Sequence, residues 1–402
     1  MEQSSKRICM SPICQPEKPD LTNSDHKAFD PRSAMKIIGI SDFSRHMAVV
    51  KGQDTVYETI TRDAVELLQV DFGKLLRLES DGRLSCKAVY FRPYLARRAG
   101  KNPWEASLAG PVYDRAMYQE TPWALHVDSE ASPAERQTLY LNGALSLLFI
   151  PLRISFNRVG LLVLGTQQEK YDENFHHEFK YLAALLAVQT SYTIVKTYPI
   201  ADQNITPQDV VMGFNKVLEM HSPITSAHTR RLVWLVNTLS HELNLTLSDT
   251  QALRWSALLH DVGKIAIPEN ILLKPEHLND AEWEIMKKHP LIGADMVSMV
   301  DELSDVEAYI LSHHEYFDGS GYPYGLVGEQ IPLGGRIISV IDAYCAMTEG
   351  RVYQAACTHN EAIEEIRRCN GRLYDPRVAN AFLNVMEREK TLVQAYRNFL
   401  LP

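Results

Sequence analysis

The 402 residues are 45% hydrophobic and 23% charged, a globular mix that excludes a mainly disordered or collagen-like chain. The length points to two, or three, domains. A formal net charge of −9 offers no basic face, so wholesale binding to duplex nucleic acid is disfavoured, and an anionic substrate would need a local source of positive charge.

The six cysteines (Cys9, Cys14, Cys86, Cys345, Cys357 and Cys369) form no CxxC pair. Reduced thiols in a cytoplasmic protein are expected. The opening MEQSSKRICMSPICQPEKPD has no apolar run of signal-peptide length. The longest apolar stretch, from Ala144 to Ile154, is interrupted by Pro151 and Arg153 and is too short to span a bilayer.

Residues 1–36 are rich in Pro, Ser, Lys and Asp and read as a disordered leader. Residues 37–200 read as α+β. A helix is expected near Val56–Leu68, with Ile60, Ala64 and Leu67 on one face. A strand over Gly73–Glu79 and a return strand over Leu84–Tyr90 flank Asp81-Gly82, a hairpin signal. A loop-rich middle holds Pro103, Pro111, Pro122 and Pro133. Strands over Ser146–Arg153 and Val159–Gly165 follow, with Phe156-Asn157-Arg158 as the turn between them. A helix from Asn174 to Thr197 then places Phe179, Leu182 and Leu186 along a seam. The LLRLESDGRL hairpin, the SLLFIPLRISFNRVGLLVLG strand pair and the closing helix together resemble a GAF sensory domain. That resemblance implies a small ligand of unknown identity, a regulatory role and a homodimer.

From 201 to 402 the chain reads as all-α, with helices suggested at 208–220, 225–243, 248–262, 279–288, 290–300, 303–315, 334–349, 359–369 and 375–388. Asn279, three residues before Glu282, marks a helix start. Nine of the 14 histidines lie between 221 and 359. Five of those alternate with carboxylates in the series His228, His260-Asp261, His289, His313-His314 and Asp342. Imidazole and carboxylate are the usual ligands of first-row metals. Seven such groups exceed the needs of one ion, so two ions are expected, with the two oxygens of Asp261 able to bridge them.

The extended motifs are His260-Asp261-Val-Gly-Lys264 and His313-His314-Glu315-Tyr-Phe-Asp318-Gly319-Ser-Gly321-Tyr322-Pro323. With ILLKP, EWEIMKKHP, IPLGGRI and Asp375-Pro376 they resemble the HD-GYP family of metal-dependent phosphohydrolases over about Ser222 to Asn384. The resemblance implies hydrolysis of cyclic di-GMP to linear pGpG or GMP by a metal-bridged hydroxide. Its metal ligands would be His228, His260, Asp261, His289, His313, His314 and Asp342, holding two divalent ions, iron or manganese.

Asp261 and Lys264 would be catalytic. Lys264, three residues from Asp261, could also hold a phosphate oxygen. Arg351, Tyr322, Gly321 and Pro323 would border the substrate, and Glu315 and Asp318 would orient ligand imidazoles. The Gly-Tyr-Pro loop would also contact diguanylate cyclases. Three departures stand out. Ile224 occupies a position where some relatives have a metal-binding Glu. Gln354 replaces a basic residue, and Cys345 and Gly350 replace aspartates. The alternatives are another cyclic dinucleotide as substrate, or a cyclic di-GMP binding module with weak turnover.

Overall fold

The computed structural model describes residues 31–50, 53–93, 110–127, 131–155, 157–167, 174–199, 205–221, 226–349 and 356–400. Residues 1–30 of the expected leader lie outside the described residues, as do Ile224, Gly350, Arg351 and Gln354.

The chain divides into two compact units. One holds Ala34–Pro223 with Asp295–Ser304; the other holds Ile224–Ala294 and Asp305–Pro402 with residues 31–33.

The first unit is built on an antiparallel five-stranded sheet in the order β2-β1-β5-β4-β3. Its strands are β1 (Phe72–Leu78), β2 (Leu84–Phe91), β3 (Trp123–His126), β4 (Ser146–Ile154) and β5 (Asn157–Thr166). The β1–β2 hairpin forms at Asp81-Gly82. Gly82 adopts φ 82°, and Asp81 accepts the Arg83 amide at 3.0 Å. The β4–β5 pairing runs to Ile154↔Asn157, a tighter turn than the sequence suggests, with Ser155 at φ 50°. Helix α1 (Pro31–Val49) precedes α2 (Gln53–Leu67), in which Ile60 and Ala64 are buried. Helix α5 (Asn174–Thr197) packs on β4, and α6 (Pro207–His221) packs on both.

Two further helices, α3 (Pro111–Tyr118) and α4 (Pro133–Asn142), form where the sequence reads as loop. The prolines suggest breakers, yet Pro133 sits in the first turn of α4, where its missing N–H costs nothing. Ser132 and Glu135 close a capping box around it, the Glu135 carboxylate accepting the Ser132 amide at 2.7 Å. Phe72, Leu76, Tyr113, Phe149 and Leu161 form the core on this side of the sheet.

The second unit is helical among its described residues. It contains α7 (Ser226–Glu242), α8 (Leu247–Leu259), α9 (Glu269–Leu272), α10 (Asp280–Met286), all but the end of α11 (His289–Val297) and all but the first residue of α12 (Ser304–Ser312). The series ends with α13 (Leu333–Glu349), α14 (His359–Arg368) and α15 (Pro376–Leu400). Capping boxes at Thr246/Asp249, Asn279/Glu282 and Thr358/Glu361 start α8, α10 and α14. The polar positions before each apolar run therefore fix where these helices begin. Helix α13 is the central element, packing against α7, α8, α14 and α15. Leu235, Leu239, Ile337, Ile341, Tyr374 and Phe382 make the core around it.

The start of α15 is tied to α13 through a buried ion pair. Arg336 donates to Asp375, whose other oxygen accepts the Arg377 amide at 2.7 Å. Removing one partner of a buried pair leaves a desolvated charge. Asp375→Ala should therefore cost roughly 3–5 kcal/mol in denaturant unfolding. Asp375→Asn, which keeps the amide acceptor, should cost less.

Candidate metal centre

His260, His289 and His313 each sit at a helix boundary and are almost fully buried. In all three, Nδ1 meets the backbone carbonyl three residues earlier: Ala257 at 3.1 Å, Met286 at 2.8 Å and Ile310 at 2.6 Å. A carbonyl can only accept, so the proton lies on Nδ1 and the Nε2 lone pair is turned inward. This local device orients three imidazoles before any tertiary contact is considered.

The inward atoms converge. His289 Nε2 lies 3.4 Å from His313 Nε2. The two oxygens of Asp261 face different rings, Oδ1 at 3.4 Å from His289 Nε2 and Oδ2 at 3.4 Å from His260 Nε2. Asp342 Oδ1 approaches His260 Nε2 to 3.7 Å. His314 joins His289 and His313, their ligand atoms all within 4.8 Å of one another.

Two lone pairs 3.4 Å apart cannot hydrogen-bond when both protons are on Nδ1. The buried Nε2 of His260 has no hydrogen-bond partner. An unsatisfied buried polar atom costs about 1–3 kcal/mol. Cations between these atoms would relieve both, so the donor set fits metal ions, with Asp261 placed as a carboxylate between two groups of ligands.

Ionisation agrees. Burial, then the Lys264 charge, holds His289 well below the usual histidine value. Burial, then His313 and His289, does the same for His314. Burial, then His260, pushes His313 down to about 4. Burial alone would raise Asp261, but Lys264, His260 and His289 outweigh it and keep the carboxyl well below its usual range. For His260 the effect of burial is overcome by Asp261 and Asp342, which raise it. Neutral imidazoles and an ionised carboxylate are the forms a metal needs.

The turn after His260 is tighter than the expected continuation of α8. Val262–Ala266 is a 3-10 turn. Lys264 folds back within it, Nζ lying 2.6 Å from Asp261 Oδ2. Gly263 makes this possible, because a Cβ there would come within 2.0 Å of the His289 carbonyl and 2.7 Å of the Gly293 amide.

The 319–323 loop packs against the His313-His314 turn. Gly319 takes φ 83°, and a Cβ on Gly321 would come within 2.3 Å of the Tyr316 amide. The two glycines thus meet different needs, left-handed backbone and close approach. Tyr322 stacks on the His314 ring at 4.9 Å, and the Tyr322–Pro323 peptide is cis. Trp283, not picked out in the sequence, stands edge-on to Tyr322 at 6.1 Å and is 45% exposed.

Glu315 and Asp318 depart from their expected role. Glu315 accepts the Tyr324 and Leu326 amides at 2.7 and 3.1 Å, and Asp318 accepts the Ser320 amide at 2.9 Å. Both hold the loop rather than an imidazole, their carboxylates being taken up by loop amides. His228 also differs from the other histidines. Its Nδ1 lies 2.6 Å from the Glu349 carboxylate, a residue the sequence reading did not single out.

Residues 214–378 match the family model described as HD domain. A cyclic di-GMP phosphodiesterase of Thermotoga maritima is 39% identical over 191 residues, 47% of this chain and 51% of that protein. The cyclic di-GMP phosphodiesterase response regulator RpfG of Xanthomonas campestris is 41% identical over 170 residues, 42% and 45% of the two chains. A 3'3'-cGAMP-specific phosphodiesterase 2 of Vibrio cholerae is 33% identical over 186 residues, 46% and 36% of the two chains. The chain thus spans about half or less of the length of these relatives. No helix among the described residues is long and apolar enough to cross a membrane.

Two tests follow from the packing and the ionisation. Gly263→Ala should destabilise by about 1–3 kcal/mol through overpacking. It should also weaken metal uptake, measured by metal analysis after dialysis. In the metal-free protein, an unfolded histidine takes up its proton near pH 6.5 but folded His313 only near 4. Between those values the unfolded state binds more protons, so stability falls as pH falls. His289 and His314 act in the same direction and His260 opposes them. Calorimetry of the stripped protein should show the midpoint dropping from about pH 6.5 toward 4, and a flat profile would contradict this ionisation pattern.

Proposed function

We propose that the chain is a metal-dependent phosphodiesterase of the HD-GYP type that hydrolyses cyclic di-GMP to linear pGpG or GMP. The observation that carries the reading is the buried convergence of His260, Asp261, His289, His313 and Asp342, with the orphaned Nε2 of His260 facing two carboxylates. The names of the Thermotoga and Xanthomonas relatives support the substrate class.

In this reading His289, His313 and His314 would hold one divalent cation and His228, His260 and Asp342 the other, with Asp261 available to both. Iron or manganese suits such a nitrogen–oxygen set. When bound, the two cations supply charge neutralisation on the phosphodiester and an acidified water. The protein's own groups do the rest. Asp261 stays ionised because three cationic or imidazole neighbours surround it. Lys264 places a positive charge beside Asp261 where a phosphate oxygen would arrive. Tyr322, with Gly321 and Pro323 shaping its loop, offers a ring face beside His314 for a nucleobase. Arg351, in the segment after α13, adds a second cationic contact for phosphate or guanine. The unit of Ala34–Pro223 is a GAF-like sensory domain that binds an unidentified ligand and regulates turnover in a cytoplasmic homodimer, and the 319–323 loop contacts diguanylate cyclases.

A second substrate reading rests on the Vibrio relative named for 3'3'-cGAMP, whose identity of 33% is only a little lower. The experiment that tests both is chromatography of the products after incubating the iron- or manganese-loaded protein with each dinucleotide. Cyclic di-GMP should give pGpG or GMP, and His260→Ala and Asp261→Ala should abolish it. Lys264→Ala should lower kcat/KM about ten- to hundredfold, the worth of one charge-assisted contact. Preferential cleavage of 3'3'-cGAMP would transfer the assignment to that substrate. No product from either, with both metals bound, would make the domain a binding module.

A further inference from the structure

Helix α13 carries Asp342, Cys345 and Glu349 at spacings of three and four residues, which puts them on one face. That face delivers Asp342 to His260 at 3.7 Å and Glu349 to His228 at 2.6 Å. The other carboxylate oxygen of Glu349 lies 3.4 Å from Arg231 Nη1, one turn along α7 from His228.

Two roles are open to Glu349. The ligand atoms of His228, Cys345 and Glu349 all lie within 4.8 Å of one another, so the three could form a cation seat of their own. The distances decide against it. Two atoms that share an ion at about 2.1 Å each stand about 3 Å apart or more in octahedral or tetrahedral geometry. His228 Nδ1 and Glu349 Oε2 are closer than that, at a hydrogen-bond separation. The Arg231 guanidinium also already holds this carboxylate.

We propose that Glu349 is a positioning residue. It accepts the Nδ1 proton of His228, fixes the tautomer, and leaves Nε2 as the ligand atom. The inference rests on the reading of His228 as a metal ligand. It differs from what His260, His289 and His313 show, because they use neutral carbonyls. A carboxylate in that place makes the imidazole a stronger donor to a cation.

The test is metal analysis of the full chain under graded chelator, with the wild type, Glu349→Ala and Glu349→Gln. The wild type should hold two cations per chain. Glu349→Ala should release one of the two at roughly 10–100-fold lower chelator concentration and keep the other. Glu349→Gln should fall between, since its amide oxygen still accepts the proton but carries no charge. Should Glu349→Ala not fold, the Gln variant alone decides. Retention of both ions as in the wild type would overturn the role of Glu349 while leaving the metal centre intact. A wild type that holds fewer than two ions would overturn the reading of the centre itself, and the role of Glu349 with it. Cobalt-loaded wild type should lack a thiolate-to-cobalt charge-transfer band. Such a band, lost in Cys345→Ala, would make Cys345 and Glu349 ligands and overturn the proposal.

Discussion

The second unit depends on one unfavourable fact, that imidazole lone pairs and carboxylate oxygens are turned toward each other in a buried space. His289 and His313 present Nε2 to Nε2 at 3.4 Å, and His260 presents Nε2 to two carboxylate oxygens. The Nε2 atoms of His289 and His313 cannot bond each other while both protons sit on Nδ1, whereas the two carboxylates beside His260 favour its protonated form. The cost is concentrated where cations would remove it.

The scaffold supplies rigidity through close backbone contacts rather than long side chains. Gly263 lets the 3-10 turn press on the start of α11, which brings Asp261 between His260 and His289. Gly321 lets its loop press on the His313-His314 turn, which sets Tyr322 on the His314 ring. Glu315 then ties the far side of the loop through the Tyr324 and Leu326 amides. Each contact needs a missing Cβ or a buried carboxylate, so small changes there would be felt at the ligands.

These same features explain what could be read from the sequence. The pairs His260-Asp261 and His313-His314 stood out because their chemistry is adjacent in the chain. The start of α10 stood out because Asn279 and Glu282 form a local box. The box at Ser132–Glu135 is just as local, but the prolines around it read as breakers and hid α4. Glu315 reads otherwise in the sequence, because a carboxylate beside paired histidines suggests imidazole contact. The loop amides it serves become its partners only when the chain turns back. Glu349 was invisible for a different reason, since its partner His228 is 121 residues away.

That separation marks two different ways of orienting a histidine ring in this unit. His260, His289 and His313 are oriented by carbonyls three residues earlier, so each ring is set by its own helix end. His228 is oriented by a carboxylate on another helix, so its ring is set only when α7 lies against α13. A lone carbonyl acceptor adds no net charge, whereas Glu349 adds one and shares it with Arg231. The rings of His260, His289 and His313 are therefore specified by local geometry. The ring of His228 is specified by helix packing and by charge.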